Sequence, residues 1–356
     1  MSNATDKDTF PAAEWEEVSP ADAPAAPTGA ATYRVRYTAH GARGPVPMTG
    51  LVTVPETVRA GVGVVSWAHG TTGLSTLSAP SLHTKGDRIE RYITPWTEYL
   101  QRWVDEGYIV TQPDYEGLGV EEVPATYMHR GSLASSINRL VEEAREKFGV
   151  GPGWLNVGFS QGGYAALAAA SSSEVDGLWA TIAIAPGDTE LVNKNLRLMG
   201  VRPVDVARML KGTAVRFFPI VIAGAINSFD SVHGEDFLSE RGFELVDKAE
   251  KLTLPELRDE VADTSGGELF ISKANTKPMQ DLLDEQRLEL MAPRGPVLVV
   301  AGAKDTTINR ESLKAVLGVW SQAGVSVEYR EVPEATHSDT VAASWETQRE
   351  WLGALG

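Results

Sequence analysis

The chain has 356 residues, of which 42% are hydrophobic and 22% are charged, an ordinary globular composition that excludes a disordered, collagen-like or coiled-coil protein. It carries 32 Lys and Arg against 48 Asp and Glu, a net charge of −16, which argues against nucleic acid and anionic lipid as partners. The absence of cysteine excludes disulfides and thiol chemistry, and no apolar run reaches the roughly 18 residues of a membrane-spanning helix.

The N-terminal part of the sequence contains two contrasting segments. Residues 1–30 mix Pro, Ala and acidic residues and predict an irregular lead-in, whose first ten residues have neither the basic nor the apolar region of a signal peptide. This favours a cytoplasmic location, or a secreted one if a leader is missing from this chain. Tyr33–Thr38 and Met48–Val54 alternate apolar and polar residues around a glycine-containing turn, which predicts a β-hairpin.

From residue 62 onward, short apolar runs alternate with amphipathic stretches. The predicted strands are Val62–Trp67, Tyr108–Thr111, Leu155–Phe159, Thr181–Ala185, Val297–Ala301 and Val325–Tyr329. The predicted helices are Trp96–Glu106, Leu133–Lys147, Gln161–Ser171, Arg310–Gln322 and Val341–Leu355. Wholly apolar strands separated by helices indicate an α/β protein with a mostly parallel sheet that is covered on both faces.

Residues 188–290 interrupt this alternation. They contain helical patterns and no clear buried strand, and residues 215–229 are too apolar for a linker. We therefore expect a mostly helical insertion of 188–290 between two segments, 31–187 and 291–356, of one α/β core.

A possible nucleophile stands where a predicted strand runs into a helix of small residues. The segment Gly158-Phe-Ser160-Gln-Gly162 has the pattern G-x-S-x-G. A nucleophile on a sharp strand-to-helix turn needs small residues two positions before and after it, so that strand and helix can approach. The pentapeptide alone is a weak signal, but together with its flanking strand and helix it favours Ser160 as a nucleophile over an incidental turn serine.

A second glycine-rich turn, His69-Gly-Thr71-Thr72-Gly73, ends the strand predicted at 62–67. Acyl transfer develops negative charge on a carbonyl oxygen, which backbone N–H groups must already face. We expect the amides of Gln161 and Thr71, with Thr72 as second choice, to form this oxyanion hole. His69 is expected to orient the loop.

A serine hydroxyl also needs an imidazole base and a carboxylate that fixes the imidazole tautomer. His337 follows the last predicted strand, which places it beside Ser160 at the carboxyl ends of the strands. The other candidates, His40, His83, His129 and His233, are expected to be solvated surface residues.

Asp305, after the penultimate predicted strand, is the expected acid, and Asp188 is its rival. Asp339 is too close in sequence to His337 to reach across its ring.

The acidic segment Asp114–Gly119 also follows a strand. Paired carboxylates for acid–base work or a metal are one interpretation, but a strand-exit turn is favoured because its glycines permit the bend. No two histidines have the spacing of metal ligands, so no metal is expected.

The motifs HGTTG, DYEGLG, GFSQGG, AGAKDTTI and ATHSD together resemble the α/β-hydrolase superfamily. More narrowly, they resemble the secretory lipase or lipase A-like esterases and their bacterial relatives, over about residues 33–355. The resemblance implies an α/β-hydrolase fold with a helical cap before the acid-bearing strand, and hydrolysis of carboxylic esters without a cofactor.

The sequence therefore predicts a serine esterase or lipase-like enzyme that acts on small-molecule or lipid esters, with Ser160, His337 and Asp305 as the catalytic residues. An acyltransferase or amidase with the same three residues, and a non-catalytic receptor with a hydrolase fold, are the alternatives. Phe217, Phe218 and Ile222 in the apolar segment either line an acyl pocket or anchor the insertion. The oligomeric state is left open.

Overall fold

One mixed sheet of nine strands forms the centre of the protein. The structure is a computed structural model, and it describes residues 10–173, 176–189 and 200–356. The strands are β1 (Glu14–Val18), β2 (Ala31–Gly41), β3 (Gly44–Val54), β4 (Val64–Ala68), β5 (Ile109–Pro113), β6 (Trp154–Phe159), β7 (Leu178–Ile184), β8 (Val297–Gly302) and β9 (Val327–Val332). Their order across the sheet is β1-β2-β3-β5-β4-β6-β7-β8-β9.

The six strands from β5 to β9 in this order are parallel, whereas β1, β2 and β3 form an antiparallel edge. Every residue of β4, β5, β6 and β8 is buried. Successive residues such as Val64 and Val65 belong to two different hydrophobic clusters. The sheet is therefore covered on both faces, which confirms the predicted mostly parallel α/β architecture.

Helices cover the two faces of the sheet. Within the described residues they are α1 (Glu90–Asp105), α2 (Arg130–Phe148), α3 (Gln161–Ser171), α4 (Pro203–Ala207), α5 (Phe217–Ser228), α6 (Glu240–Lys251), α7 (Leu254–Glu260), α8 (Lys277–Glu285), α9 (Arg310–Gln322), α10 (Thr340–Ala343) and α11 (Trp345–Leu355). Apolar residues of α2, α3 and α9 pack on one face, and those of α1 and α11 on the other. None of the helices in these ranges is both long enough and apolar enough to cross a bilayer.

Several predicted boundaries, and the prediction of an irregular N-terminal segment, differ from the structure. Part of the lead-in forms the edge strand β1, because Trp15 packs on the rings of Tyr33 and Phe148 while the strand pairs with β2. Helix α1 begins six residues before the predicted start at Trp96, because Ile93 in the added turn is buried in the core, and the helix accommodates Pro95 at its sixth position. Strand β9 lies two to three residues later than predicted.

The described residues between β7 and β8 are mostly helical. They form α4 to α8, short 3₁₀ turns and isolated bridges, with no strand of the sheet. Part of the predicted insertion, residues 190–199, lies outside the described residues. The apolar segment forms a 3₁₀ turn at Gly212–Arg216 and then α5, where Pro219 occupies the third helical position.

Candidate active site

Ser160 lies on the turn between β6 and α3, at the carboxyl ends of the parallel strands. Its backbone has φ 56° and ψ −116°, a region that residues with a side chain rarely occupy. A Cβ on Gly158 would lie 2.0 Å from the carbonyl oxygen of Gly162, and one on Gly162 would lie 1.8 Å from that of Ala68. Both positions therefore require glycine. The close contact between strand and helix holds the backbone of Ser160 in its strained conformation.

A continuous chain of hydrogen bonds joins Ser160, His337 and Asp305. The Oγ of Ser160 lies 3.0 Å from Nε2 of His337, and Nδ1 of His337 lies 2.8 Å from Oδ2 of Asp305. A carboxylate can only accept, so Nδ1 carries the ring proton and Nε2 is left to accept the proton of the serine hydroxyl. The structure thus brings together the three side chains that the sequence predicts to act together.

Asp305 is held as an anion. Its side chain is fully buried, and Oδ1 accepts the backbone N–H groups of Thr307 at 2.7 Å and Ile308 at 3.0 Å. Burial opposes ionisation, but the hydrogen bond from His337 and the two amides outweigh it, so the pKa of the Asp305 carboxyl lies below its ordinary value. The anion then favours the tautomer of His337 described above.

Backbone hydrogen bonds join the loop that carries Asp305 to the segment that leads to His337. Ala303 donates its amide to the carbonyl oxygen of Val332 at 3.0 Å, and Lys304 donates to that of Ala335 at 2.9 Å. The ring of Phe159 lies 4.8 Å from the ring of His337, measured between centroids. The position of the imidazole is therefore fixed by neighbours on both sides.

The two rival carboxylates have other partners. Oδ1 of Asp188 accepts the amides of Thr189 at 2.7 Å and Leu288 at 3.1 Å. Asp339 accepts the hydroxyl of Thr336 at 2.5 Å. The geometry therefore favours Asp305 over both.

The expectation that His83 and His129 are solvated is wrong. His83 is buried, and its Nδ1 lies 2.7 Å from Oδ2 of Asp87. His129 caps α2 by accepting the amide of Ser132, and burial lowers the pKa of its imidazole to about 4. His83 is thus fully buried and His129, at the N-terminal end of α2, is half-buried, and the local hydrogen bond of each ring offsets part of the cost of removing it from water.

His40 and His233 lie in β2 and in the insertion, respectively. His40 was expected to be solvated, but it is half-buried near the end of β2, with its ring edge-on to Phe10. His233 is exposed, as expected.

His69 is buried, and burial lowers the pKa of its imidazole to about 4. Its ring stacks on Tyr115 at 4.3 Å, and the Tyr115 hydroxyl donates to the His69 carbonyl oxygen at 2.8 Å. Nδ1 of His69 lies 2.7 Å from the carbonyl oxygen of Gly70. These contacts hold the turn after β4, in agreement with the orienting role expected of His69.

The acidic segment after β5 has a structural role. Asp114 is fully buried and accepts the amide of Ser81 at 2.9 Å. Glu116 is also buried and accepts the amide of Ala42 and the hydroxyl of Thr126. The favoured interpretation as a turn is therefore supported. The described residues contain no group of three or more His, Asp or Glu side chains that could hold a metal ion.

The candidate oxyanion residues come from the ends of two neighbouring strands, β4 and β6. Gln161 is the first residue of α3, where a backbone N–H has no intrahelical acceptor. Thr71 is half-buried, whereas Thr72 is buried and its carbonyl oxygen accepts the amide of Leu254 at 2.7 Å. The exposure of Thr71 agrees with its choice over Thr72, but the direction of its amide remains a prediction.

The insertion contacts the turn after β4 directly through Thr253 and indirectly through Tyr127, which lies outside the insertion. Gly73 forms an antiparallel bridge with Thr253, immediately before α7. The hydroxyl of Tyr127 lies 2.8 Å from Oγ1 of Thr71, and α5 rests on the same tyrosine, since a Cβ on Gly224 would lie 2.5 Å from Cβ of Tyr127. No feature of the sequence singles out Tyr127, because this residue lies in an irregular loop with no motif around it.

The three candidate acyl-pocket residues differ in burial. Ile222 is fully buried within the larger hydrophobic cluster, as an anchoring residue would be. Phe217 and Phe218 are only partly buried and pack against that cluster. Their role in an acyl pocket remains a prediction.

Comparisons with known proteins agree on the fold. No protein-family model and no curated protein matches the sequence. The structure is similar to the closed state of Candida antarctica lipase A, with a TM-score of 0.76, 14% identity, and coverage of 96% of this chain and 81% of that one. It is also similar to the rice cell wall degrading esterase LipA from Xanthomonas oryzae, with a TM-score of 0.70, 18% identity, and coverage of 98% and 99%. The chain therefore has the α/β-hydrolase fold.

Proposed function

We propose that this α/β-hydrolase-fold protein is a serine hydrolase of carboxylic esters. The observation that carries the proposal is the chain of hydrogen bonds from Ser160 through His337 to the buried Asp305. The likeness to a lipase and an esterase agrees with it.

In the first half of the proposed reaction, Oγ of Ser160 attacks the ester carbonyl carbon while Nε2 of His337 takes the hydroxyl proton. The amides of Gln161 and Thr71 stabilise the negative charge that develops on the carbonyl oxygen. When the tetrahedral intermediate collapses, the alcohol leaves with the proton from His337, and the acyl group stays on Ser160.

In the second half, His337 takes a proton from water, which attacks the acyl carbon. The carboxylic acid leaves, and Oγ of Ser160 recovers its proton from Nε2. Throughout both halves, the anionic Asp305 stabilises the positive charge that the imidazole gains on protonation.

We further propose that residues 188–290 form a cap over the site, and that Phe217 and Phe218 line an acyl pocket beneath it. The support for the cap is its attachment to the turn after β4 through Thr253 and Leu254. The substrates would be small-molecule or lipid esters.

Labelling with a fluorophosphonate tests the function, because only an activated serine reacts stoichiometrically with this probe. We expect one label per chain on Ser160, together with turnover of p-nitrophenyl esters. A wild-type protein that is folded but neither labelled nor active on the esters would overturn the proposal and favour a receptor.

A further inference from the structure

Two hydroxyl groups meet beside the candidate oxyanion hole. Oγ1 of Thr71, in the turn after β4, lies 2.8 Å from the hydroxyl of Tyr127, which belongs to the loop before α2. No other hydrogen bond of either hydroxyl occurs within the described ranges of the chain. Two protons are therefore available to this pair, and one hydrogen bond uses only one of them.

The direction of this hydrogen bond follows from the chemistry of the two groups. A phenol is a stronger acid than an aliphatic alcohol and is the better donor. Burial raises the pKa of Tyr127 to about 12, so the phenol keeps its proton at neutral pH. Tyr127 therefore donates to Oγ1 of Thr71, and the proton of the Thr71 hydroxyl is free for another acceptor.

Contacts of the next two residues fix the backbone at Thr71. The next residue, Thr72, is buried and accepts the amide of Leu254, and Gly73 is bridged to Thr253. Thr71 is thus the half-buried residue at the start of a fixed turn. The backbone amide and the side-chain hydroxyl of a single threonine can both donate to one acceptor.

We propose that the Thr71 hydroxyl is a further donor to the oxyanion, and that Tyr127 is the positioning residue that directs it. This inference rests on the proposed ester hydrolysis. Because α5 packs on Tyr127 at Gly224, the insertion would also help to set the direction of this donor.

Kinetic comparison of hydroxyl-deletion variants tests the inference. Thr71→Val should lower kcat by about 10²-fold, the loss typical of one oxyanion donor, with KM changed less than about twofold. Thr71→Ser, which keeps the hydroxyl, should retain most of the activity. Tyr127→Phe should lower kcat by about tenfold, the equivalent of one hydrogen bond. Tyr37→Phe is the matched control, since that buried hydroxyl donates to the backbone carbonyl oxygen of Ser136 in α2 and not to Thr71.

Two further measurements separate a catalytic role from a structural one. In the Thr71→Val background, Tyr127→Phe should have no further effect on kcat. A trifluoromethyl ketone, which forms an oxyanion on Ser160, should bind Thr71→Val more weakly by about the same factor as kcat falls.

The inference is wrong if Tyr127→Phe turns over esters like the wild type, or if the two substitutions lower kcat independently. If Thr71→Val does not fold, the kcat values of Tyr127→Phe and Thr71→Ser still test the inference. Failure of the proposed function would look different, because the wild type itself would then be unlabelled and inactive.

Discussion

Leu254 of the insertion donates its backbone N–H to the carbonyl oxygen of Thr72, at 2.7 Å. Thr72 immediately follows the candidate oxyanion residue Thr71. The position of the insertion and the geometry of the candidate site are therefore coupled through one short stretch of backbone.

We expect this amide to be strongly protected in hydrogen exchange. Leu254 is buried and its N–H is bonded to a turn that bridges two parts of the fold, so exchange requires the insertion to separate from the core. Exchange of the peptide containing Leu254 should be as slow as that of peptides from β6. Rapid exchange in this peptide, with β6 still protected, would show that the insertion opens on its own.

Ser160→Ala should abolish ester turnover, with a loss of about 10⁴-fold or more. The side chain of Ser160 is partly exposed and alanine is smaller, so the melting temperature should be unchanged. Initial rates on a p-nitrophenyl ester and a thermal melt measure both. Ser171→Ala is the control, since its hydroxyl bonds within α3 to the carbonyl oxygen of Leu167, and it should keep full activity. Retained turnover in Ser160→Ala would refute the assignment of the nucleophile.

Asp305→Asn should lower kcat far more than Asp188→Asn. An amide in place of the Asp305 carboxylate favours the wrong imidazole tautomer, a change that costs about 10⁴-fold in a well-studied serine protease. At Asp188, the Asn oxygen can still accept the amides of Thr189 and Leu288. The kcat of the two variants at neutral pH decides between them, and the reverse order of activity would make Asp188 the acid.

Asp114 should make the stability of the protein depend on pH. Burial raises the pKa of its carboxyl from 3.8 to about 6, so between these values the unfolded chain is ionised while the folded protein keeps the proton. Stability should therefore fall as pH rises from about 4 to about 6, by about 3 kcal/mol for this residue.

Asp114→Asn should lack this contribution, because its oxygen can still accept the Ser81 amide but cannot ionise. Urea unfolding of both proteins from pH 4 to 7 measures the difference. A stability gap between them that stays constant with pH would contradict the raised pKa.

Phe217→Ala and Ile222→Ala should affect different properties, the first the substrate preference and the second the stability of the fold. Phe217 is partly exposed on α5, and its truncation should shift the preferred acyl length in a series of p-nitrophenyl esters. Each methylene of the acyl chain that gains or loses a pocket contact should change the transition-state binding energy by about 1–3 kcal/mol. Ile222 is fully buried, so its truncation should lower the unfolding free energy by about 2–5 kcal/mol and leave the preference unchanged. An unchanged preference in Phe217→Ala would mean that α5 only anchors the insertion.

The residues of the candidate site that could be predicted are those whose chemistry or backbone restricts the sequence nearby. Ser160 is flanked by glycines because no side chain fits there, while Asp305 follows the buried strand β8 and His337 follows the edge strand β9 of the parallel part of the sheet. Since such strands end at one edge of the sheet, the three positions could be brought together from the sequence alone.

Contacts between loops could not be predicted in this way. Tyr127 meets Thr71 across 56 positions of sequence, through an irregular loop whose path depends on the packing of α5. The burial of His83 depends on Asp87, which is near in sequence but is one of many acidic residues. Strand β1 forms because the edge of β2 is free to pair with it and Trp15 packs on Tyr33 and Phe148, so its short acidic sequence by itself gives little indication of a strand.

The close contact at the nucleophile turn determines which positions natural drift or a mutant library can explore. Gly158 and Gly162 admit no substitution, not even alanine, because each faces a carbonyl oxygen at 2.0 Å or less from where a methyl carbon would be. Gly187 is different, since a methyl group there would meet Cε of Met128 at 3.5 Å and the Ser160 carbonyl oxygen at 3.7 Å, both ordinary contacts. Position 187 can therefore tolerate small side chains near Ser160, whereas Gly158 and Gly162 should be retained in every active variant.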